Sequence, residues 1–319
     1  MELIKITHLT KRYEGLLAVD DINLEIGQNE VFGLLGPNGA GKTTVIHMLA
    51  TLLKPTSGTA LVNGFDIIAQ PAKVRSSIGI VFQAPSSDDM LTGYENLKIH
   101  AFLYGVPSYD REKRIQSVLD LVGLAERQHD QVKKYSGGMR RRLEIARGLL
   151  HRPTVMFLDE PTLGLDPNSR GMMWEYIKKL VKEEKMTIIL TTHYMEEADH
   201  LCNRIGIIDE GKIIALDSPL NLKKSLGGDI VKIRPRSWKA LENIRLLPYV
   251  RKVEIVDGDV VMLVENAKKN IPDILRHVDS EYVEFRSPDL NDVFLKLASK
   301  NIKESGEGGF MERYAQYGK

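Results

Sequence analysis

Gly36-Pro37-Asn38-Gly39-Ala40-Gly41-Lys42-Thr43 fits the pattern G-x-x-x-x-G-K-[ST] at every fixed position. The flanks fit as well. Val31-Phe32-Gly33-Leu34-Leu35 is a short apolar run that reads as a buried strand, and Val45, Met48, Leu49 and Leu52 follow at helical spacing. Strand, glycine loop and helix is the arrangement a phosphate cradle needs. Glycines let the backbone turn so that several N–H groups point at one anion. A helix starting near Lys42 adds the positive end of its dipole. Lys42 is placed to reach the β- and γ-phosphates of a nucleotide, and the Thr43 hydroxyl to hold Mg2+. Pro37, Asn38, Ala40 and Thr44 complete the candidate loop.

A second apolar run, Thr154-Val155-Met156-Phe157-Leu158, ends in Asp159-Glu160. Buried parallel strands read this way, and ligand sites lie at their carboxyl ends. Alone, two acids after a strand are a solvated turn. Behind a phosphate loop they become a Mg2+ ligand, Asp159, and a general base for water, Glu160. The guanine motif N-K-x-D of GTPases is absent, as is the H-R-D loop of protein kinases. The reading is therefore a P-loop ATPase.

Composition bounds the rest. The 319 residues suggest two domains, and 43% hydrophobic with 27% charged residues is an ordinary globular mix. A net charge of +1 argues against a dedicated nucleic-acid binder, so no nucleic acid is expected as partner. One cysteine, Cys202, permits no intrachain disulfide and fits a reducing compartment. The longest stretch without Asp, Glu, Lys or Arg is 12 residues, 76–87, where a spanning helix needs about 20 mostly apolar residues. The start of the chain lacks the basic flank and apolar core of a signal peptide. The expectation is a cytoplasmic chain whose membrane role, peripheral on the cytoplasmic face, comes through a partner.

Tyr135-Ser136-Gly137-Gly138-Met139 lies 23 residues before Asp159, counted from the serine. It resembles the signature motif of ABC-family ATPases, usually written LSGGQ. Other motifs of that family fall in the expected order along the chain. Gln83, after the apolar run 78–82, resembles the Q-loop glutamine, a contact to nucleotide and Mg2+. Gly164-Leu165-Asp166 resembles the D-loop, which places Asp166 at the nucleotide. His193 resembles the switch histidine, with a catalytic role at the γ-phosphate. Tyr13, in Lys11-Arg12-Tyr13, resembles the aromatic that stacks on adenine. The resemblance implies an α/β fold: a RecA-like sheet with an antiparallel β subdomain, and a helical subdomain at about 85–150 carrying the signature. It implies that Ser136, Gly137 and Gly138 close over ATP held by a second copy, in an ATP-bound head-to-tail homodimer. It implies ATP and Mg2+ as cofactors and separately encoded transmembrane permease subunits as partners. Tyr135 and Met139 depart from the family's Leu and Gln. The run Arg140-Arg141-Arg142, taken by itself, reads as a solvated helix face.

The pattern changes after residue 225, which places the ATPase domain at 1–225. Residues 230–233 read as a strand and 238–247 as a helix. Residues 253–256 and 260–264 read as a hairpin around Asp257-Gly258. Ile271, Ile274, Leu275 and Val278 have helical spacing, and 282–285 read as a strand. The order β-α-β-β-α-β suggests a small ferredoxin-like α+β domain over 226–300. Ser287-Pro288 opens a final helix, and 301–319 read as a flexible tail. The stretch from Ser287 to Phe294, with Tyr135-Ser136-Gly137-Gly138-Met139, resembles the daunorubicin-type drug-resistance ATPases. The implied function is export of drugs, lipids or other hydrophobic compounds. An importer ATPase and a soluble ABC ATPase outside transport are the alternatives.

Overall fold

The computed structural model describes residues 2–237 and 241–305. The chain divides into two compact units, with the break between Asp217 and Ser218. The pattern-based boundary at 225/226 lies eight residues later.

The first unit opens with two long strands, β1 (Glu2–Tyr13) and β2 (Leu16–Gly27), paired antiparallel. β3 (Val31–Leu35) is buried at every position and runs into the glycine loop and α1 (Lys42–Leu49). β4 (Ser57–Val62) and β5 (Phe65–Asp66) return to complete a four-stranded sheet in the order β2-β1-β4-β5. α2 (Pro71–Ser77) leads into β6 (Ile78–Val81). Three helices follow: α3 (Gly93–Leu103), α4 (Ser108–Leu121) and α5 (Gly137–Leu149). Thr92 caps α3 through a capping box with Glu95, which satisfies two N–H groups of the first turn.

The chain then alternates strand and helix: β7 (Val155–Asp159), α6 (Pro167–Glu184), β8 (Thr187–Thr192), α7 (Met195–Leu201), β9 (Arg204–Asp209) and β10 (Lys212–Asp217). These strands join β3 and β6 in a six-stranded sheet ordered β10-β9-β3-β8-β7-β6. All neighbours in it are parallel except the β9–β10 pair. β7 and β8 are buried along their whole length, which is why neither sequence alternates: Val155 to Leu158 is an apolar run, and β8 sets Ile188-Ile189-Leu190 between threonines. The register sets Leu35 beside Thr192 and Asp159 beside Thr191, so β3, β8 and β7 end together on one edge.

The second unit begins with α8 (Pro219–Lys224), capped by Ser218. β11 (Asp229–Pro235), α9 (Leu241–Arg245), β12 (Val250–Val256), β13 (Asp259–Val264), α10 (Ala267–His277) and β14 (Ser280–Arg286) follow. α11 (Leu290–Ser305) ends the described chain. The sheet is antiparallel throughout, ordered β12-β13-β11-β14, which is the split βαβ topology. Asp257 and Gly258 both have positive φ, 50° and 81°, as the tight hairpin turn requires. Val231, Ile233, Val260, Met262 and Val264 bury one face of the sheet against Ile244 and Ile274. Residues 238–240 of the expected helix 238–247, and 306–319 of the expected tail, lie outside the described residues. Residues 301–305 of that tail are the last turn of α11. Among the described residues, no helix is long and apolar enough to cross a membrane.

Candidate active site

The glycine loop sits at the end of β3, and its shape depends on missing side chains. A Cβ on Gly36 would lie 2.2 Å from the Ile208 carbonyl oxygen. Gly41 has φ 104°, and a Cβ there would lie 2.4 Å from the Ala18 carbonyl oxygen. Any other residue at either place displaces backbone, not a flexible side chain. The loop is moored by Ala40, whose carbonyl accepts from Gly211 N–H at 3.1 Å, and by Gly36 N–H, which donates to Thr192 O at 3.4 Å. Asn38 and Gly39 are exposed at its tip, and Pro37 and Thr44 are half-buried. Lys42 is 5% exposed and donates to the carbonyls of Gly36 and Pro37 at 2.8 and 2.9 Å. Burial pushes its pKa down, and the charges of Glu160 and Asp159 oppose that shift.

Asp159 closes β7. The Thr43 hydroxyl donates to both of its carboxylate oxygens at 3.1 Å, and the Thr191 hydroxyl donates to Oδ1. Glu160 follows with φ 48°, in the left-handed region that costs a non-glycine residue about 1–3 kcal/mol. Its N–H donates to Thr191 O at 3.2 Å and Oγ1 at 3.1 Å, which holds the turn. The side chain swings back over the loop: Oε1 lies 3.9 Å from Lys42 Nζ, and Oε2 lies 2.8 Å from His193 Nδ1. The imidazole nitrogen is close to the carboxylate, but the angle does not make a hydrogen bond. Lys42, Thr43, Asp159, Glu160 and His193 thus converge from three strand ends. Such a cluster of one ammonium, two carboxylates, a hydroxyl and an imidazole suits phosphoryl chemistry on water.

Comparison with known proteins agrees. Residues 19–163 match the ABC transporter family model. The daunorubicin resistance ATP-binding protein DrrA2 of Streptomyces coeruleorubidus is 38% identical, over 93% of this chain and 95% of its own length. The Nod factor export ATP-binding protein I of Cupriavidus metallidurans is 36% identical, over 95% and 99%. Among solved structures, the dimeric post-hydrolysis ATP-binding cassette MJ0796, bound to ADP and Pi, superposes with TM-score 0.61 at 28% identity. That match covers 67% of this chain and 98% of that one. The chain belongs to the ABC transporter family. It is an ATPase of that family.

Within this ABC ATPase, the signature opens α5. Ser136 is the N-cap, and its hydroxyl accepts from Met139 N–H at 3.3 Å. Ser136 and Gly137 are exposed and Gly138 is half-buried, so the helix N-terminus faces outward. Tyr135 fits in place of a leucine because residue 93 is glycine. A Cβ at Gly93 would lie 2.3 Å from the phenol oxygen, which donates to Arg127 O at 2.8 Å. The other sequence-derived residues lie apart from the charged cluster. Gln83 is exposed beyond the end of β6, the strand next to β7. Tyr13 is 43% exposed and pairs with Leu16 at the hairpin end, two residues from the Ala18 carbonyl that faces Gly41. Asp166 caps α6 and accepts from Ser169 N–H at 3.0 Å.

Two features escaped the sequence reading. The first corrects it: Arg140-Arg141-Arg142 is not a solvated face. Arg140 pairs with Asp89, and Arg142 donates to Val122 O at 2.9 Å. Arg141 is 7% exposed and donates to the carbonyls of Phe82, Asp159, Glu160 and Pro161. The second is a buried polar network on the same helix. Glu144 accepts from Ser86 N–H and Oγ, from Ser87 N–H, and from Arg147 at 2.8 Å. Arg147 also contacts His100 Nε2 on α3. Burial raises the Glu144 pKa, but Arg147 and the serines outweigh it and hold the carboxyl below its ordinary range. No motif marks these residues. The one available signal was Glu144 and Arg147 at i,i+3 within an apolar helix face.

His100 gives this network a pH signature. Burial, then the Arg147 charge, lower its pKa from 6.5 to about 4. The unfolded chain therefore binds a proton below about 6.5 that the folded chain refuses until about 4. Stability is lost as pH falls through that window and is flat above it. Urea midpoints at pH 7.5 and pH 5 are expected to fall further for the wild type than for His100→Gln. Equal falls would remove His100 from the account.

Proposed function

We propose that this chain is the ATP-hydrolysing subunit of a membrane exporter. It works as an ATP-closed homodimer docked on separately encoded permease subunits at the cytoplasmic face. The observation that carries the catalytic part is the approach of Glu160 to both Lys42 and His193 at the end of the sheet. Glu160 is the general base that takes a proton from the attacking water. His193 contacts the γ-phosphate and steadies the transition state. Lys42 gives up its two loop carbonyls for the β- and γ-phosphates, an exchange its burial favours because an ammonium gains more from anions than from carbonyls. The N–H groups of the loop, at the start of α1, cradle the phosphates. Tyr13 offers its exposed ring to adenine.

Mg2+ fits the residues present. Thr43 Oγ1 and the Asp159 carboxylate are hard oxygen donors already 3.1 Å apart, and Mg2+ normally takes one or two protein oxygens and fills the rest with phosphates and water. The family resemblance implies Gln83 as a further ligand, from beyond the end of β6. When bound, the ion neutralises charge on the β- and γ-phosphate oxygens.

The partner reading rests on the outward-facing signature helix and on the α3 region. Ser136, Gly137 and Gly138 present an anion site at a helix N-terminus, suited to the γ-phosphate held by a second copy. The pairing is supported by likeness to a dimeric cassette. Phe102 and Leu103 at the end of α3 are each 69% exposed, and Ile99 on the preceding turn is exposed too. An apolar patch of this kind marks a protein–protein contact, here the permease. Export, rather than import, rests on the relatives named for drug resistance and Nod factor export.

Glu160→Gln should lower kcat by about 10²–10⁴, the usual loss for a positioned base, or about 3–5 kcal/mol of barrier. Size-exclusion chromatography with ATP is expected to show this variant as a dimer. Wild-type turnover would reject Glu160 as the base. Mild-detergent purification from native membranes should recover a multi-span protein near 1:1 with this chain. Recovery of soluble partners alone would sink the transporter reading.

A further inference from the structure

Arg141 lies five residues after Ser136 on the same helix, about one and a half turns along. Its guanidinium uses four of its five N–H donors on backbone carbonyls. Nε donates to Pro161 O at 2.8 Å, and Nη2 to Asp159 O and Glu160 O at 2.7 and 3.0 Å. Nη1 reaches across to Phe82 O, next to Gln83. Three of the four acceptors are consecutive, and they are the carbonyls of the turn that carries Glu160 at positive φ. The Glu160 carbonyl also accepts from Leu163 N–H at 3.2 Å, and Arg141 adds donors to it and to the carbonyls on either side. A single planar fork reaches four carbonyls on two segments, more than the three N–H groups of a lysine ammonium could serve.

Neighbouring residues of α5 hold the rest of the segment after Gln83. Arg140 pairs with Asp89, and Glu144 holds Ser86 and Ser87. The helix that presents Ser136 therefore grips both the Glu160 turn and the Gln83 loop, and among the described residues of that helix Arg141 is bonded to both. We infer that Arg141 is a positioning residue that ties the Glu160 carboxylate to the helix carrying Ser136. It follows that what Ser136 meets at its exposed end is felt, through one rigid side chain, at the base of the same chain. The inference rests on the proposed role of Glu160 and deepens it.

A double-mutant cycle separates positioning from simple support. Arg141→Met is expected to lower kcat about 10–100-fold, as a misplaced reacting group does, with KM within about threefold of wild type. In the Glu160→Gln background the same change should have almost no further effect, because Arg141 acts through Glu160. Turnover is measured well below each variant's thermal midpoint. If the two losses multiply, or if Arg141→Met keeps wild-type kcat, the inference is overturned while the base assignment stands. The base assignment fails separately if Glu160→Gln alone keeps wild-type turnover, and the coupling then falls with it. Should Arg141→Met fail to fold, Arg141→Lys keeps the charge but cannot fork across four carbonyls, and the same cycle applies.

Discussion

Asp159 is 2% exposed and sits where three strand ends meet. Its carboxylate accepts from Thr43, just past the glycine loop, and from Thr191 on the central strand β8. A buried carboxylate without such donors would cost several kcal/mol. With them it fixes the distance between the phosphate loop and the turn that carries Glu160. The parallel register of β3, β8 and β7 makes this possible, because it ends all three strands on one edge. The P-loop lysine, the paired acids and His193 therefore need no long loops to meet.

The same economy explains the buried cations. Lys42 rests on two carbonyls of its own loop, and Arg141 rests on four carbonyls of the β6 and β7 ends. Neither cation is closed off in a tight ion pair with the acids: Lys42 Nζ stays 3.9 Å from Glu160 Oε1. Burial lowers the pKa of Arg141, while Glu144, Asp159, Glu197 and Glu160 act against that shift. The charge balance of this edge is spread over β7, α5 and α7, so a change at one residue is felt by the others.

Much of this was legible in sequence because the deciding constraints are local. Gly36 and Gly41 stand in one contiguous motif, although the carbonyls that exclude a side chain there come from Ile208 and Ala18, and the apolar runs of β3 and β7 reflect burial on both faces. Asp257-Gly258 marked its hairpin because both residues must hold positive φ. Other features depend on partners far along the chain. Arg141 reads as one of three solvated arginines until Phe82, 59 residues away, is brought beside it. His100 and Arg147 meet across 47 residues. The sheet β2-β1-β4-β5 was anticipated through family resemblance, since β1 is irregular. Bulges interrupt its pairing with β2 and blur the alternation. The last turn of α11 ran past the point where charge and glycine content suggested a tail.

The central claim is that each ATP site is built from the P-loop of one chain and the Ser136 end of another. Subunit mixing tests it most directly. Lys42→Ala disables the loop, and Gly137→Asp sets a carboxylate where the partner's γ-phosphate would lie. The nearest atom to a Cβ at residue 137 is Leu165 Cδ2 at 3.7 Å, so the second variant has room to fold. Each variant alone should be inactive. Mixed chains should regain ATPase activity, because the heterodimer holds one intact site. Activity no greater than the sum of the separate variants would contradict the account.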